Sequence, residues 1–237
     1  MITTVAAYKG GVGKTTLAYE VAAATEAVLV DVDCECGATD LWGLDPLDRR
    51  THPLLDRVSG VPRTRSNAGQ PTIVPATPDL LTIRLSAEEV ADRLLEWAAA
   101  WAPRPVVVDT MPAAVPLTIG ALQAADLVVV PTVIGGQELA RLPRMLTELS
   151  QYRVTLVPNM VPRSLSEREV GKLKAAAGDN IPITSIINDF SWLPHRARRR
   201  ALVLEPRPGT RVAVAAEQFR VVAAELTDLA TNYREKL

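Results

Sequence analysis

The chain has 237 residues, 48% of them hydrophobic, and a net charge of −1. That is enough apolar matter for a substantial core, with no global field to draw the protein onto nucleic acid or membrane, so any polyanion has to be met by a local patch. Cys34 and Cys36 stand one residue apart and are the only cysteines, which excludes a disulfide framework. No basic-then-apolar leader opens the sequence and no apolar run reaches the ~18 residues of a membrane span, so the expectation is a soluble cytoplasmic protein.

In chain order, residues 2–7 form an apolar run that ends in a glycine-rich turn, and residues 15–25 read as a helix with Leu17 and Val21 on its apolar face. Residues 27–32 read as a second buried strand, closing on Asp31 and Asp33. From 39 to 70 the pattern weakens into loops, with Arg49, Arg50 and several prolines around a short element at 54–58. A strand is predicted over 72–76. Residues 86–101 predict a helix capped by Ser86, with Glu88 and Glu89 in its first turn and Val90, Leu94, Leu95 and Trp97 on one face. Short strands follow at 106–108, ending in Asp109, and at 127–130 and 154–157. A helix is predicted over 164–177 from a capping pattern of Ser164 and Glu167, then a last strand over 183–187 and a helix over 211–233. Continuous apolar strands alternating with amphipathic helices predict an α/β fold, a doubly wound, mostly parallel sheet flanked by helices, in one domain over residues 1–237.

The chemistry concentrates in residues 9–16, KGGVGKTT. Gly10, Gly11, Val12 and Gly13 make a loop whose backbone N–H groups can converge on an anion, and the helix that follows adds its positive end. Lys14 is placed to reach phosphate oxygens, and the Thr15 hydroxyl to ligate Mg²⁺ beside them. The strict G-x-x-x-x-G-K-[ST] pattern would need glycine where this chain has Tyr8, and Lys9 adds a second charge. Only five of the 26 basic residues are lysines, so two of them within six positions suggest a requirement for a compact ammonium.

KGGVGKTT resembles the deviant Walker A motif of ParA/MinD-type ATPases, most like the short ParA partition proteins. Residues 28–40, VLVDVDCECGATD, are similar to that family's second motif, and PVVVDTMPA over 105–113 to its Walker B strand. AADLVVVPT and LVPNMVPRSLSEREV resemble the strand-loop segments that follow. The resemblance implies ATP and Mg²⁺ as ligands, with Lys9 as the signature lysine crossing a nucleotide-sandwiched homodimer. It implies that Asp33 orients the attacking water and shares the metal shell, that Asp109 holds the Mg²⁺ shell with Thr15, that Thr16 touches the α-phosphate, and that Asn159 contacts adenine. Cys34 and Glu35 replace the usual Pro-Gln and Met111 replaces a proline; the first departure puts the geometry of Asp33 in question. A capping role within its own turn is the other reading of Asp33.

Arg196, Arg198, Arg199, Arg200, Arg207 and Arg211 form a basic cluster diluted by Glu205. By the resemblance, this is the surface for nonspecific double-stranded DNA, with Arg196, Arg198, Arg199 and Arg200 as contacts. Part of the cluster could equally pack against the sheet. A ParB-like centromere-binding partner, nucleoid association and the movement of plasmid, chromosome or protein cargo are implied in the same way. A nucleotide switch with little hydrolysis is the alternative. The terminal DLATNYREKL is not a basic amphipathic helix, so no membrane attachment is expected, and with a strand starting at residue 2 no operator-reading domain is expected either. Cys34 and Cys36 with His52 and His195 would be a thin donor set for zinc or iron–sulfur chemistry.

Overall fold

Short runs of valine and leucine, too apolar to face water on either side, make the strands: β1 (Ile2–Val5), β2 (Val28–Asp31), β3 (Thr72–Val74), β4 (Val106–Asp109), β5 (Leu127–Val133) and β6 (Val154–Asn159). In the computed structural model, which describes residues 1–45, 52–55, 61–164, 166–196, 200–205 and 209–234, all the pairings between them are parallel and the order is β3-β2-β4-β1-β5-β6. The chain works outward from the central β1 to β3, returns through β4 and then builds the other side. The expected doubly wound sheet is therefore present.

The helices are α1 (Lys14–Ala24), α2 (Gly37–Trp42), α3 (Ala87–Ala100), α4 (Pro116–Gln123), α5 (Gly136–Glu148), α6 (Glu167–Ala177) and α7 (Thr210–Arg234). Strand alternation divides them between two faces. Val5, Leu29, Val107 and Val129 meet Leu17, Val21, Phe219 and Leu226 of α1 and α7. Ile2, Val30, Val106 and Val108 turn the other way, onto Leu94 and Trp97 of α3 and Leu117 of α4. Val128, Val130 and Leu156 face Leu142, Leu146 and Leu173 of α5 and α6.

Three sequence expectations change. The capping box of α6 is Ser166 with Glu169, not Ser164 with Glu167: each residue bonds the other's backbone N–H, two positions further on. The run 183–187 follows the edge of β6 without becoming a strand. It bridges β6 at Ile183 and again just beyond it at Asn188, while between them Ser185 gives both its N–H and its hydroxyl to Glu225 of α7. Helices α2, α4 and α5 occupy stretches where the periodicity marks none. The element expected at 54–58 falls largely outside the described residues.

Candidate nucleotide-binding site

The C-terminal ends of β1, β2, β4 and β6 meet at one edge of the sheet, the place where doubly wound folds bind ligands. From β1 the chain runs through Ala6 and Ala7 into the glycine-rich loop and re-enters helix at Lys14. Gly13 takes φ 83° and sits so close to the end of β6 that an added Cβ would lie 2.3 Å from Asn159 Nδ2. Only glycine satisfies both demands. The same Nδ2 donates to the Val12 carbonyl at 2.8 Å, so Asn159 pins the loop from inside. The amide nitrogen is thus engaged with the loop itself, a role the sequence reading did not assign.

Lys14 is buried, and its Nζ donates to the Lys9 carbonyl at 3.3 Å. Burial pushes its pKa down, opposed by the negative charges of Asp109 and Asp33. Those two, with Asp31, form a buried acidic edge. Parallel pairing of β2 with β4 sets Asp31 directly beside Asp109, and Asp33 follows two residues later. Burial raises the pKa of both, Asp31 to about 7 with the charge of Asp33 adding to it, and Asp109 well above the carboxylate range with the charges of Asp31 and Asp33 adding.

The two differ in their partners. Asp31 accepts from the N–H of Asp33 at 3.1 Å, and from the N–H and hydroxyl of Thr39 at 2.9 and 2.7 Å. Thr39 in turn accepts from the Ala76 N–H at 2.7 Å, so this pair ties β2, α2 and the end of β3 together. Asp109 is fully buried, and among the described residues neither of its oxygens has a hydrogen-bond partner at bonding geometry; the favourable groups facing it are the Thr15 hydroxyl and the Lys14 ammonium. A buried carboxylate left this way needs a counter-charge.

Asp33 caps its own turn: its Oδ1 accepts from the Glu35 N–H at 2.9 Å, and its carbonyl accepts from the Cys36 N–H at 2.8 Å. That turn brings Gly37 against Thr15, where a Cβ would lie 3.2 Å from Oγ1. Cys34 and Cys36 are buried inside it, neither in a disulfide, and the Cys36 thiol donates to the Cys34 carbonyl at 3.4 Å. His52, kept neutral by burial with its pKa pushed down to about 3, accepts from the Leu54 N–H at 3.1 Å. No cluster of three or more His, Cys, Asp or Glu poised for a metal occurs among the described residues.

Beside the loop lies a cavity of about 220 Å³ lined by Gly13, Thr16, Glu20, Asn159, Phe190 and Arg196, among others. Arg196, one of the arginines expected at a DNA surface, has a side chain only 13% exposed, paired with Glu205 at 2.8 Å and donating to the Arg200 carbonyl, and it lines this cavity. Arg200 lines the same cavity and folds over Gly69. Arg198, Arg199 and Arg207 lie outside the described residues. Lys9 projects to α5, where it is ion-paired with Glu138. Glu138, Asp31, Thr39 and Glu20 are contributors the sequence reading missed; the signal for Glu20 was one acid inside the otherwise apolar LAYEVAAA of α1.

A family model described as an AAA domain matches residues 1–160. The chain belongs to this family. The chromosome-partitioning ATPase Soj of Thermus thermophilus is 31% identical over 169 residues, covering 64% of this chain and 62% of Soj. Two solved structures share the fold. One is MinD of Pyrococcus horikoshii complexed with Mg-ADP, with a TM-score of 0.73, 15% identity and 98% of each chain covered. The other is cobyrinic acid a,c-diamide synthase of Mycobacterium smegmatis with bound ADP and magnesium, with a TM-score of 0.68, 21% identity, and 95% of this chain and 93% of that one covered. Among the described residues of this family member, no helix is long and apolar enough to cross a membrane.

Proposed function

We propose that the protein is a ParA-type partition ATPase, acting as one domain over residues 1–237. ATP binding drives a nucleotide-sandwiched homodimer that binds DNA without sequence preference in the nucleoid-occupied cytoplasm. A ParB-like partner then prompts hydrolysis, so that cargo is moved or positioned. The observation that carries this reading is the pairing of two lysines, Lys9 and Lys14, on one phosphate loop with the buried Asp109, whose oxygens carry no hydrogen bond among the described residues, below it. Partition proteins share the fold with an amide synthase, so the fold does not choose between them. The Soj likeness and the second lysine favour partition.

In this reading the loop N–H groups and Lys14 hold the phosphates, and Thr16 and Asn159 border the nucleoside side. The donor set suits Mg²⁺: a hydroxyl and carboxylate oxygens with no all-protein cage, as expected of a metal that shares its shell with phosphates and water. Thr15 and Asp109, with Asp33 near, would hold the ion, which when bound neutralises phosphate charge. Lys9, supplied in trans, stabilises charge on the transferring phosphoryl group. Asp33 orients water through the oxygen not engaged by Glu35. DNA contact is assigned to the arginine segment outside Arg196, with Arg198 and Arg199 foremost.

The test is binding to unrelated duplex DNA at two salt concentrations, with ADP and with ATP held unhydrolysed. Binding confined to the ATP state and steeply weakened by salt is expected; no binding in either state would remove the partition role. A second reading, a nucleotide switch that barely hydrolyses, is favoured by Asp33 Oδ1 being held within its own turn and by Cys34-Glu35 at the usual Pro-Gln positions. Turnover measured with DNA and partner present separates the two: it is high for the partition motor and near zero for the switch.

A further inference from the structure

The phosphate-site chemistry does not use Glu138, yet this residue holds the most distinctive side chain of the loop. Lys9 leaves the loop towards α5, and its ammonium is ion-paired with the Glu138 carboxylate. Glu138 is the third residue of its helix, so the carboxylate also sits at the positive end of α5. It folds back over Gly135, where a Cβ would come within 2.9 Å of Oε2. The Lys9 ammonium first, and then its own backbone N–H, hold its pKa below the usual carboxylate value. The pair closes one side of a cavity of about 670 Å³ between the loop, residues 112–114, the end of β5 and α5, where Arg141, Arg144 and Glu148 also face the space. Arg144 and Glu148 already bond each other at 3.1 Å.

We infer that Glu138 is a cis counter-ion that restrains Lys9 in the nucleotide-free subunit and opposes its transfer to the phosphates of a partner. An ammonium donating to one carboxylate is not at the same time placed to cross a dimer interface. Glu138 and the partner's nucleotide therefore compete for one side chain, and removing the competitor shifts the equilibrium towards the crossed state. Lys9 is exposed and Glu138 is half-buried, so water screens the pair and makes it a weak brake that a bound nucleotide can overcome, not a lock. It also makes the state of Lys9 sensitive to anything that moves the start of α5. The inference rests on the trans role of Lys9 proposed above.

The test uses the full chain and two readouts. In nucleotide-free protein, limited acylation of lysines followed by peptide mass spectrometry compares Lys9 with the exposed Lys172 and Lys174. Glu138→Gln should raise Lys9 labelling roughly two- to fivefold, as expected on releasing an exposed pair, while Glu148→Gln, in the same cavity, leaves it unchanged. Equal Lys9 labelling in wild type and Glu138→Gln overturns the restraint. With ATP held unhydrolysed, sedimentation should show Glu138→Gln dimerising at a roughly two- to fivefold lower protein concentration; an unchanged or weaker dimer overturns the brake. Lys9→Ala separates the two failures. If it dimerises like wild type, the trans-lysine reading fails and this inference falls with it. If it cannot dimerise and Glu138→Gln shifts nothing, only the inference fails.

Discussion

Glu20 gives the sharpest quantitative test of how the loop helix is anchored. It sits on α1, 4% exposed, and accepts from the backbone N–H groups of Leu202 at 2.9 Å and Val203 at 3.2 Å. Burial raises its pKa from 4.5 to about 7, against the pull of those two bonds and of Arg196 and Arg220. Between those values the unfolded chain has released a proton that the folded protein keeps, so the stabilising share of this group is complete below pH 4.5 and is lost as pH rises through 7. At about 1.4 kcal/mol per pH unit, that amounts to roughly 3 kcal/mol. Glu20→Gln preserves the shape and abolishes the titration, but its amide can accept only one of the two backbone bonds, a loss of about 1 kcal/mol. The variant should therefore be as stable as wild type or slightly less at pH 5, and more stable by about 2 kcal/mol at pH 8. Urea unfolding at four pH values, with the m-value checked for constancy, reads the difference directly. A difference that stays flat with pH would refute the argument. So would a variant that worsens as pH rises, since Glu20 would then be acting as an ionised partner of the arginines.

Other outcomes follow from the same geometry. Gly13→Ala should abolish ATP binding in calorimetry and destabilise the protein by about 1–3 kcal/mol, because the methyl group meets Asn159 and the backbone is left-handed there; ordinary ATP affinity would contradict the loop assignment. Asp109→Asn should leave the nucleotide-free protein at least as stable at pH 8, since an unpartnered buried acid is removed, while thermal scans no longer show the rise given by Mg²⁺ with ATP. An Asp109→Asn protein that keeps that rise would exclude Asp109 from the metal shell. Arg196→Ala should lower stability by about 3 kcal/mol by breaking a mostly buried ion pair, yet keep DNA affinity, at fixed salt, close to wild type. A selective loss of DNA binding without destabilisation would return Arg196 to the DNA surface.

What the sequence revealed, it revealed locally. KGGVGKTT and the aspartates closing valine-rich strands are contiguous signals, and the strand–loop–helix order around them was enough to place Lys14, Thr15 and Asp109 on one edge. Helix α4 was hidden because it opens with Pro116 and is buried along most of its length, leaving no polar face to give a 3.6-residue rhythm. Helix α5 was hidden by Pro143 within it. Residues 183–187 have the apolar content of a strand but lose Ser185 to Glu225 of α7, a partner 40 residues away. The inward turn of Arg196 is invisible for the same reason, since Glu205 and the shape of the cavity fix it, not its immediate neighbours.

The bonds around Glu20 give the arginine segment a definite relation to the phosphate loop. Glu20 lies six residues beyond Lys14 on α1, about 9 Å along a rigid helix, and its carboxylate grips the backbone at Leu202 and Val203. Arg220 of α7 holds the Val203 carbonyl at 2.8 Å, and Arg196 bridges Arg200 and Glu205 on either side of that turn. A movement of α1 as the loop closes on phosphates must either carry the 200–205 turn with it or break two buried hydrogen bonds. If the arginines beyond Arg196 do meet DNA, this is a physical route by which ATP would govern that contact. The dependence of DNA binding on ATP should then weaken in Glu20→Gln, where one of those two bonds is gone, even though the substituted residue touches no DNA. An undiminished ATP dependence in that variant would mean that the segment is set by dimerisation alone.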